Sequence, residues 1–284
     1  MKLQRVVLWL SVLAAVTALP AVPTAQAQDV QITGPLAGAP ACRNCRIYRE
    51  GRIQLQPFIA FTLQDEFSRT MVVGAQAQFH LTDWLGIAGW AGYGVLSLDT
   101  GLTDEVTALG QTTARNRLSL PSRQNFPEQI GRLKLMFGGQ LTFIPLRGKL
   151  ALFQKLFVDA DFYIFLGAAG IQVEERADVT DMSVCGGAMT SPACLNSQLE
   201  RATRFAIAPT FGAGLMLYAS DFLGISIEYR GLPFAWNTSG TDEGGPDGEF
   251  PDGVIDSNDQ IFHYNHMVSI GFAFYLPTEA KISE

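Results

Sequence analysis

The sequence predicts an all-β protein, an eight-stranded antiparallel transmembrane β-barrel with short periplasmic turns and long outer loops. Eight segments of about ten residues alternate apolar and polar side chains with the period of two that β-strands require. Their polar faces consist mainly of Gln, Thr, Ser and Gly, whereas the outside of a soluble sandwich carries Lys and Glu freely. Short turns also alternate with long polar loops, as they do in outer-membrane barrels.

The composition excludes several other classes of protein. Of the 284 residues 48% are hydrophobic and 17% are charged, which is typical of a folded chain rather than a disordered one. Beyond about the first twenty positions, no apolar run approaches the ~18 residues of a transmembrane helix. The 20 basic and 27 acidic residues give a net charge of −7, so no nucleic-acid partner is expected.

The amino terminus resembles an export signal. Lys2 and Arg5 precede the apolar run Val6–Ala18, and Ala25-Gln26-Ala27 provides small residues at a cleavage site. Cleavage is therefore expected after Ala27, which sends the chain to the cell outer membrane of a Gram-negative-type envelope. The predicted parts of the chain are a signal peptide (1–27), a periplasmic N-terminal segment with a CxxC motif (28–50), the barrel (51–277) and a C-terminal tail (278–284).

Individual strands are predicted from the two faces of each segment. In Thr70–Leu81 the odd positions are apolar and the even positions are mostly polar, which indicates one lipid face and one lumen face. Ile130–Phe143 and Phe157–Gly170 alternate in the same way, with ions on their polar faces. The remaining predicted strands are 52–62, 84–96, 204–218, 224–235 and 261–276.

The connections alternate in length along the chain. Tight turns are predicted near 81–83, 145–149 and 219–221 on the periplasmic side, and long outer loops at 97–128, 173–203 and 236–260. Leu63–Arg69 is a short outer loop, and Leu146–Leu156 fits either an interfacial helix or the low end of the fifth strand. Two interfacial girdles are predicted from aromatic residues at the segment ends: Phe79, Trp84, Phe143, Tyr218, Phe222, Phe274 and Tyr275 at one end, and Phe61, Phe205, Phe234, Trp236, Phe262 and Tyr264 at the other.

Charged residues on the polar faces predict an ion network inside the barrel. Their signs nearly balance, and an eight-stranded barrel is just wide enough inside to be filled by side chains, so a salt-bridged plug is favoured over a conduction path. The predicted members are Arg52, Arg132, Lys134, Asp159, Asp161, Arg204, Glu228 and Arg230.

The four cysteines fall into two local pairs. In an exported chain, Cys42 with Cys45 and Cys185 with Cys194 are predicted to form two disulfides. A redox or metal site at Cys42 and Cys45 is the alternative, but the flanking sequence lacks a βαβ pattern and His partners.

An acidic stretch at 242–259 contains seven carboxylates and no Lys or Arg. Residues 252–259 fit the second half of an EF-hand-like loop, which predicts a weak Ca²⁺ site formed by Asp252, Asp256 and Asp259. Gly248 and Phe250 stand where the first and third ligands belong, so a solvated acidic loop is the alternative. No other cofactor is expected.

The histidines do not predict catalysis. His80 ends the polar face of a strand and is expected to form hydrogen bonds in the lumen. His263 and His266 are three residues apart on one strand, so they point to opposite faces and cannot share a metal. A lipid-modifying enzyme that uses an outer-rim Ser, His and carboxylate is the least favoured alternative.

Several turn and strand motifs resemble a known family. They include Thr82-Asp83-Trp84-Leu85-Gly86, Asp221-Phe222-Leu223-Gly224 and the closing Phe274-Tyr275-Leu276-Pro277. The chain resembles the small outer-membrane β-barrel domains of myxobacteria and related bacteria, which are similar to OmpA-type and OmpW-type barrels, over nearly all of 51–277. This resemblance implies an envelope component without a defined reaction.

The function expected from these observations is a structural or surface-recognition role. The barrel is expected to be a monomer in outer-membrane lipid, with outer loops that contact an envelope or extracellular protein. A small outer-membrane channel is the alternative, and it depends on whether the lumen is plugged.

Overall fold

The computed structural model describes residues 47–63, 65–109, 126–152, 156–176, 201–244, 255–279 and 281–282. The predicted signal peptide and all four cysteines lie outside the described residues, so cleavage and both disulfides stay predictions. Asp252 lies outside them as well.

Eight of the described strands form a closed barrel in which neighbours in sequence pair antiparallel and the last strand pairs with the first. This confirms the predicted fold class. The barrel strands are β2 (Ile53–Leu63), β3 (Ser68–His80), β4 (Leu85–Asp99), β5 (Arg132–Leu152), β6 (Leu156–Arg176), β7 (Arg201–Tyr218), β8 (Leu223–Trp236) and β9 (Ile261–Leu276).

Smaller elements lie outside the barrel wall. Two short strands, β1 (Ile47–Tyr48) and β10 (Lys281–Ile282), pair with each other as a separate sheet. Two helices, Gly101–Leu109 and Phe126–Gln129, lie between β4 and β5, and a 3-10 turn spans Ser257–Asp259. None of the described helices has the length and apolar character needed to cross a membrane.

Tight turns define one end of the barrel, here called the short-turn end. The turn after β3 is closed by bonds from the Leu81 and Thr82 N–H groups to the Leu85 carbonyl, at 3.0 and 3.1 Å. The Ala219 N–H donates to the Leu223 carbonyl at 2.9 Å in the equivalent turn after β7. Both turns agree with the sequence prediction. The opposite end, where the predicted long loops begin and end, is called the long-loop end.

The tight turn predicted at 145–149 is wrong. Strand β5 continues to Leu152, and Leu146 and Arg147 pair with Phe162 and Asp161 of β6. A register shift between Phe143 and Leu146 takes up Pro145, because a bulge accommodates a residue without an N–H group. The sequence left two alternatives for 146–156, an interfacial helix or the end of the fifth strand. Residues 146–152 belong to β5, so the strand is correct for this described part.

The alternation of side chains separates the inside of the barrel from the outside as predicted. Gln54 and Gln56 of β2 and Gln76 and Gln78 of β3 are buried inside. Apolar side chains between them point outward and are 43–49% exposed, at Leu55, Ile59, Val73 and Phe79. The predicted lipid face is therefore the outer face of the barrel.

The interior has a polar half and an apolar half. Toward the short-turn end it holds Gln, Thr, His and ionised side chains, as predicted for a lumen. Toward the long-loop end it is filled by one apolar cluster that includes Phe58, Val72, Met136, Ile171 and Leu232. The sequence did not reveal this half because inner and outer positions are both apolar there, which removes the period-two contrast.

Only part of the predicted aromatic girdles faces outward. Nine of the thirteen predicted residues lie on the outer face and are 40–66% exposed: Phe61, Phe79, Trp84, Phe143, Phe205, Phe222, Phe262, Tyr264 and Phe274. Tyr218, Phe234, Trp236 and Tyr275 are buried inside the barrel. Position near a strand end therefore does not by itself predict an outward aromatic side chain. The alternation of side chains along the strand decides which face each residue occupies.

Two adjacent glycines of β5 differ in the space around them. A Cβ on Gly138 would lie 2.5 Å from the Ala168 carbonyl oxygen and 3.0 Å from the Trp90 Nε1. A Cβ on Gly139 would meet nothing closer than the Ala88 oxygen, at 3.9 Å. The inner position thus requires glycine, whereas the outer one tolerates a methyl group.

We predict that Gly138→Ala lowers the free energy of unfolding by about 1–3 kcal/mol, because the added methyl group overpacks the wall against Trp90. Gly139→Ala is the matched control and should leave it within about 0.5 kcal/mol of the wild type. Urea unfolding in detergent micelles, followed by tryptophan fluorescence, measures both variants. Equal stability of the two variants would contradict the close packing at Gly138.

Candidate functional site

A buried ion pair lies in the middle of the barrel. Glu228 and Arg230 are two residues apart on β8, so both side chains point inward from the same face of the strand. The Arg230 Nη2 lies 2.6 Å from the Glu228 Oε1, and both side chains are buried. The Arg230 Nη1 also donates to the Gln140 Oε1 at 2.8 Å and to the Thr210 Oγ1 at 3.1 Å. This one guanidinium therefore connects β5, β7 and β8 across the lumen.

Aromatic rings enclose the same guanidinium. The Arg230 Cζ lies 4.2 Å from the ring centroid of Trp90 and 4.4 Å from that of Phe165, both within the range of cation–π attraction. The Tyr163 hydroxyl donates to the Glu228 Oε2 at 3.1 Å. Side chains of β4, β5, β6, β7 and β8 thus meet at one level. We call these seven residues the central plug: Trp90, Gln140, Tyr163, Phe165, Thr210, Glu228 and Arg230.

A second ion pair closes the short-turn end. Arg49 lies in the segment before β2, and its buried side chain reaches into the barrel to pair with the buried Asp161. The Tyr218 hydroxyl donates to the Asp161 Oδ2 at 2.8 Å and lies 3.0 Å from the Tyr275 hydroxyl. The Arg49 guanidinium also lies 4.9 Å from the Tyr218 ring centroid. The chain before the barrel therefore supplies a basic side chain to its interior.

A β-turn holds Arg49 in this position. The Arg52 N–H donates to the Arg49 carbonyl at 2.9 Å, and Gly51 has a φ of +76°, which a residue with a side chain rarely adopts. The Asp83 Oδ1 accepts the Arg49 N–H at 2.8 Å. Sequence reasoning missed Arg49, since it assigned residues up to 50 to the periplasmic segment. The glycine at position 51, before Arg52, was the sequence feature that could have predicted this turn.

Arg52 and Asp159 also face inward, as predicted, but Arg52 bonds to backbone rather than to an acid. Its Nη2 donates to the carbonyls of Asp221 and Pro277, both at 2.9 Å. Arg52 thereby joins the turn after β7 to the end of β9. His80 is buried, and its Nε2 lies 3.2 Å from the Gln54 Oε1, which agrees with the predicted hydrogen bond in the lumen.

Two predicted members of the ion network lie on the outer face instead. The register of β5 shifts between Leu133 and Leu135, so the residues before this bulge have the opposite parity. Lys134 pairs with the outward Glu174, its Nζ 2.8 Å from the Glu174 Oε2, and both are partly exposed. Arg132 pairs in register with the same glutamate. A strict period-two count cannot detect an inserted residue. The sequence therefore assigned Arg132 and Lys134 to the wrong face of β5.

Arg204 lies inside the barrel at the long-loop end, as predicted. Its Nη2 lies 2.6 Å from the Glu175 Oε1, and the same nitrogen donates to the Ala235 carbonyl at 2.9 Å. The other carboxylate oxygen of Glu175 accepts the Asn237 N–H at 2.8 Å. Glu175 was not among the predicted site residues, because it lies inside a stretch assigned to an outer loop.

The segment 237–244, here called the mouth segment, folds across the long-loop end. The Gly131 N–H donates to the Thr238 carbonyl at 3.0 Å, and the Arg176 Nη1 donates to the Gly240 carbonyl at 2.8 Å. Gly240 has a φ of +65°, and a Cβ there would lie 2.0 Å from the Gln129 carbonyl oxygen. The mouth segment is therefore packed onto the barrel.

Two of the three predicted calcium ligands are described, and both bind backbone groups. The Asp259 Oδ1 accepts the Glu243 N–H at 2.7 Å, and its Oδ2 accepts the Asp256 N–H at 2.7 Å. Burial raises the pKa of Asp259, although these backbone donors act in the opposite direction. The Asp256 Oδ1 caps the 3-10 turn through the Asn258 N–H at 2.7 Å. The described residues contain no group of three or more potential metal ligands, and the calcium site with Asp252 stays a prediction.

The two late histidines point to opposite faces of β9. His266 lies on the outer face, where its Nδ1 contacts the Tyr229 hydroxyl and its ring lies 4.5 Å from that of Tyr264. His263 is two residues from the buried, inward Asn265 and so shares the inner face. The structure therefore does not bring them together.

No protein-family model and no curated protein matches the chain. Among solved structures, the N-terminal β-barrel domain of OprF from Pseudomonas aeruginosa is similar, with 10% identity and a TM-score of 0.42 over 80% of this chain and 98% of that chain. Ail, the attachment invasion locus protein of Yersinia pestis, has 10% identity and a TM-score of 0.34 over 80% and 99%. The outer membrane protein OprG from Pseudomonas aeruginosa has 9% identity and a TM-score of 0.38 over 81% and 97%. These TM-scores are too low to assign a family or a function, and nothing in them bears on a myxobacterial origin.

The central plug predicts a large effect of losing one charge. Arg230→Met should lower the free energy of unfolding by about 3–5 kcal/mol, because it leaves Glu228 as a buried carboxylate without its cation. Adding Glu228→Gln to that variant should restore part of the loss. Urea unfolding in detergent micelles measures both.

The matched control for this prediction is Lys134→Met, which breaks the partly exposed pair on the outer face. Its effect should stay below about 1 kcal/mol. An Arg230→Met variant as stable as Lys134→Met would contradict the role of the central plug.

Proposed function

We propose that this chain is an outer-membrane protein with a structural or surface-recognition role in a Gram-negative-type cell envelope. The observation that carries the proposal is a barrel with an apolar outer face and a filled interior. Such a barrel has a membrane-spanning wall and no described passage through it, so its activity lies at its outer surface.

The outer face supports placement in a membrane. Large apolar side chains point outward around the barrel, for example Ile87 on β4, Leu141 on β5, Leu166 on β6 and Ile270 on β9, and each is about half exposed or more. Soluble monomers rarely expose contiguous apolar patches above a few hundred Å². A closed barrel also satisfies the backbone hydrogen bonds of its strands internally, which hydrocarbon surroundings require.

Aromatic side chains at both ends of the barrel also support placement in a membrane. At the short-turn end, the rings of Trp84 and Phe143 lie on the outer face in edge contact, with centroids 5.7 Å apart. At the long-loop end, Phe262 and Tyr264 near the start of β9 lie on the outer face. Amphipathic rings at both ends of an apolar band match the two membrane–water interfaces. Because outer-membrane barrels have short periplasmic turns and longer extracellular loops, we assign the short-turn end to the periplasm and the long-loop end to the outside.

The filled interior favours recognition over transport. The pair of Arg49 with Asp161 occupies the periplasmic end, the central plug occupies the middle, and the apolar cluster and the mouth segment occupy the outer end. A continuous water path would require the Arg230 guanidinium to leave Glu228 and two aromatic rings at once. A channel is therefore the less favoured function, and a rim enzyme has no described group of residues in its support.

We predict that the protein produced in a Gram-negative host fractionates with the outer membrane and resists carbonate extraction, because its outer face requires lipid. The purified protein should also migrate differently in gel electrophoresis before and after boiling, since a folded barrel resists detergent at room temperature. Recovery as a soluble monomer without detergent would contradict membrane insertion.

We also predict that the purified protein shows no steady conductance in planar lipid bilayers, because side chains fill the lumen. The matched pair of variants is Asp161→Ala, inside the barrel, and Lys134→Ala, on its outer face. A stable conductance of the wild type that Asp161→Ala changes and Lys134→Ala does not would establish the channel instead.

A further inference from the structure

A small polar cavity lies inside the barrel. Asp161, which pairs with Arg49, and Tyr163 of the central plug both line it, so the cavity touches both ion pairs of the interior. Its volume is about 10 Å³, close to the space that one water molecule requires. Side chains of β2, β3, β5, β6, β7 and β9 form its walls, and all of them are buried. We call it the inner cavity.

His80 lines the inner cavity and is only 1% exposed. The Gln54 Nε2 donates to the Gln56 Oε1 at 2.7 Å, which determines the orientation of the Gln54 amide. The Gln54 Oε1 therefore accepts a hydrogen bond from the His80 Nε2 at 3.2 Å, and the neutral ring carries its proton on Nε2. The Nδ1 is left as an acceptor, and it has no hydrogen-bond partner among the described residues.

The hydroxyl groups around the inner cavity cannot supply the missing donor. Each of them bonds to another side chain: Thr142 to Gln78, Tyr163 to Glu228, Tyr218 to Asp161 and Tyr275 to Tyr218. A hydroxyl group has a single proton, so none of them donates to His80 at the same time. A buried acceptor normally has a partner, and here the donor has to be a bound molecule.

The charges at the inner cavity favour a neutral ligand. The one carboxylate that lines it, Asp161, is already paired with Arg49, so no uncompensated negative charge is available for a cation. An anion would meet the acceptor nitrogen of His80 and the same carboxylate. Water is neutral, fits the volume and has two protons to donate.

We propose that the inner cavity binds one water molecule, which donates a hydrogen bond to the His80 Nδ1. The other polar side chains of the cavity, such as Asp161, provide its further partners. The water joins β3 to β6 across the lumen, beside the pair of Arg49 with Asp161. It stays bound far longer than water in an open channel, because every side chain around it is buried. The site belongs to the interior and does not depend on the recognition role.

Oxygen-17 magnetic relaxation dispersion tests this proposal, because it counts the water molecules that stay bound for longer than the protein takes to tumble. The full chain in detergent micelles should hold about one such water more than the His80→Phe variant, whose ring has no acceptor nitrogen. His266→Phe is the matched control, since His266 lies on the outer face. It should hold as many long-lived waters as the wild type.

A second measurement uses the wild type alone. NMR of the chain with labelled histidines should show the His80 Nδ1 without a proton, and a nuclear Overhauser effect between a long-lived water and the His80 ring. Each variant is first checked for the band shift on boiling, so that loss of the water is not caused by loss of folding. If His80→Phe fails this check, the wild-type measurement decides.

An unchanged number of long-lived waters in folded His80→Phe would overturn the proposal, as would an equal loss in His266→Phe. A proton on the His80 Nδ1, or no Overhauser effect from water to its ring, would also overturn it. The conductance measurement tests the closed lumen separately, so the water site can fail while the proposed function stands.

Discussion

Closure of eight strands into one barrel is the constraint on which the rest of this structure depends. Closure satisfies the backbone hydrogen bonds of the wall without a free sheet edge, which allows the outer face to be apolar. It also leaves an interior only as wide as a few side chains. Every inward residue must therefore fit against residues from the opposite wall, and every inward charge must find a partner inside.

The interior meets this requirement by two different means. The polar half of the interior, toward the short-turn end, uses ion pairs. Each charge there has further donors, acceptors or rings around it, as Arg230 has beside Trp90 and Phe165. A buried charge that lacked such partners would cost several kcal/mol. The outer half relies mainly on apolar packing, and the ion pair of Arg204 with Glu175 lies at its mouth. Transport would have to disturb both halves, whereas recognition at the outer mouth disturbs neither.

The outer end combines rigidity with polar surface. Backbone carbonyls and carboxylates hold the mouth segment onto the barrel, with Asp259 buried at the centre of three backbone N–H donors. Glu175 is joined to the same segment through the Asn237 N–H. A preorganised surface loses less free energy on binding than a mobile loop does. The function proposed for this surface therefore relies on the same packing that closes the barrel.

The sequence by itself determined the fold class, the two faces of most strands and two of the tight turns. It could do so because strand periodicity and turn composition are local properties, as between Thr70 and Leu81. It also placed Glu228 and Arg230 among the inward ions, since residues two apart on a strand share a face.

Tertiary structure alone decided which charges are partners and where the local pattern breaks. The bulge before Leu135 moved Lys134 to the outer face, and Arg49 entered the barrel from a segment outside the predicted wall. At the long-loop end, residues of β6 and β7 line the same cavity as Gln260, which lies more than fifty positions later in the chain. Such contacts depend on barrel register and closure, which act between distant strands and leave no trace in a local sequence pattern.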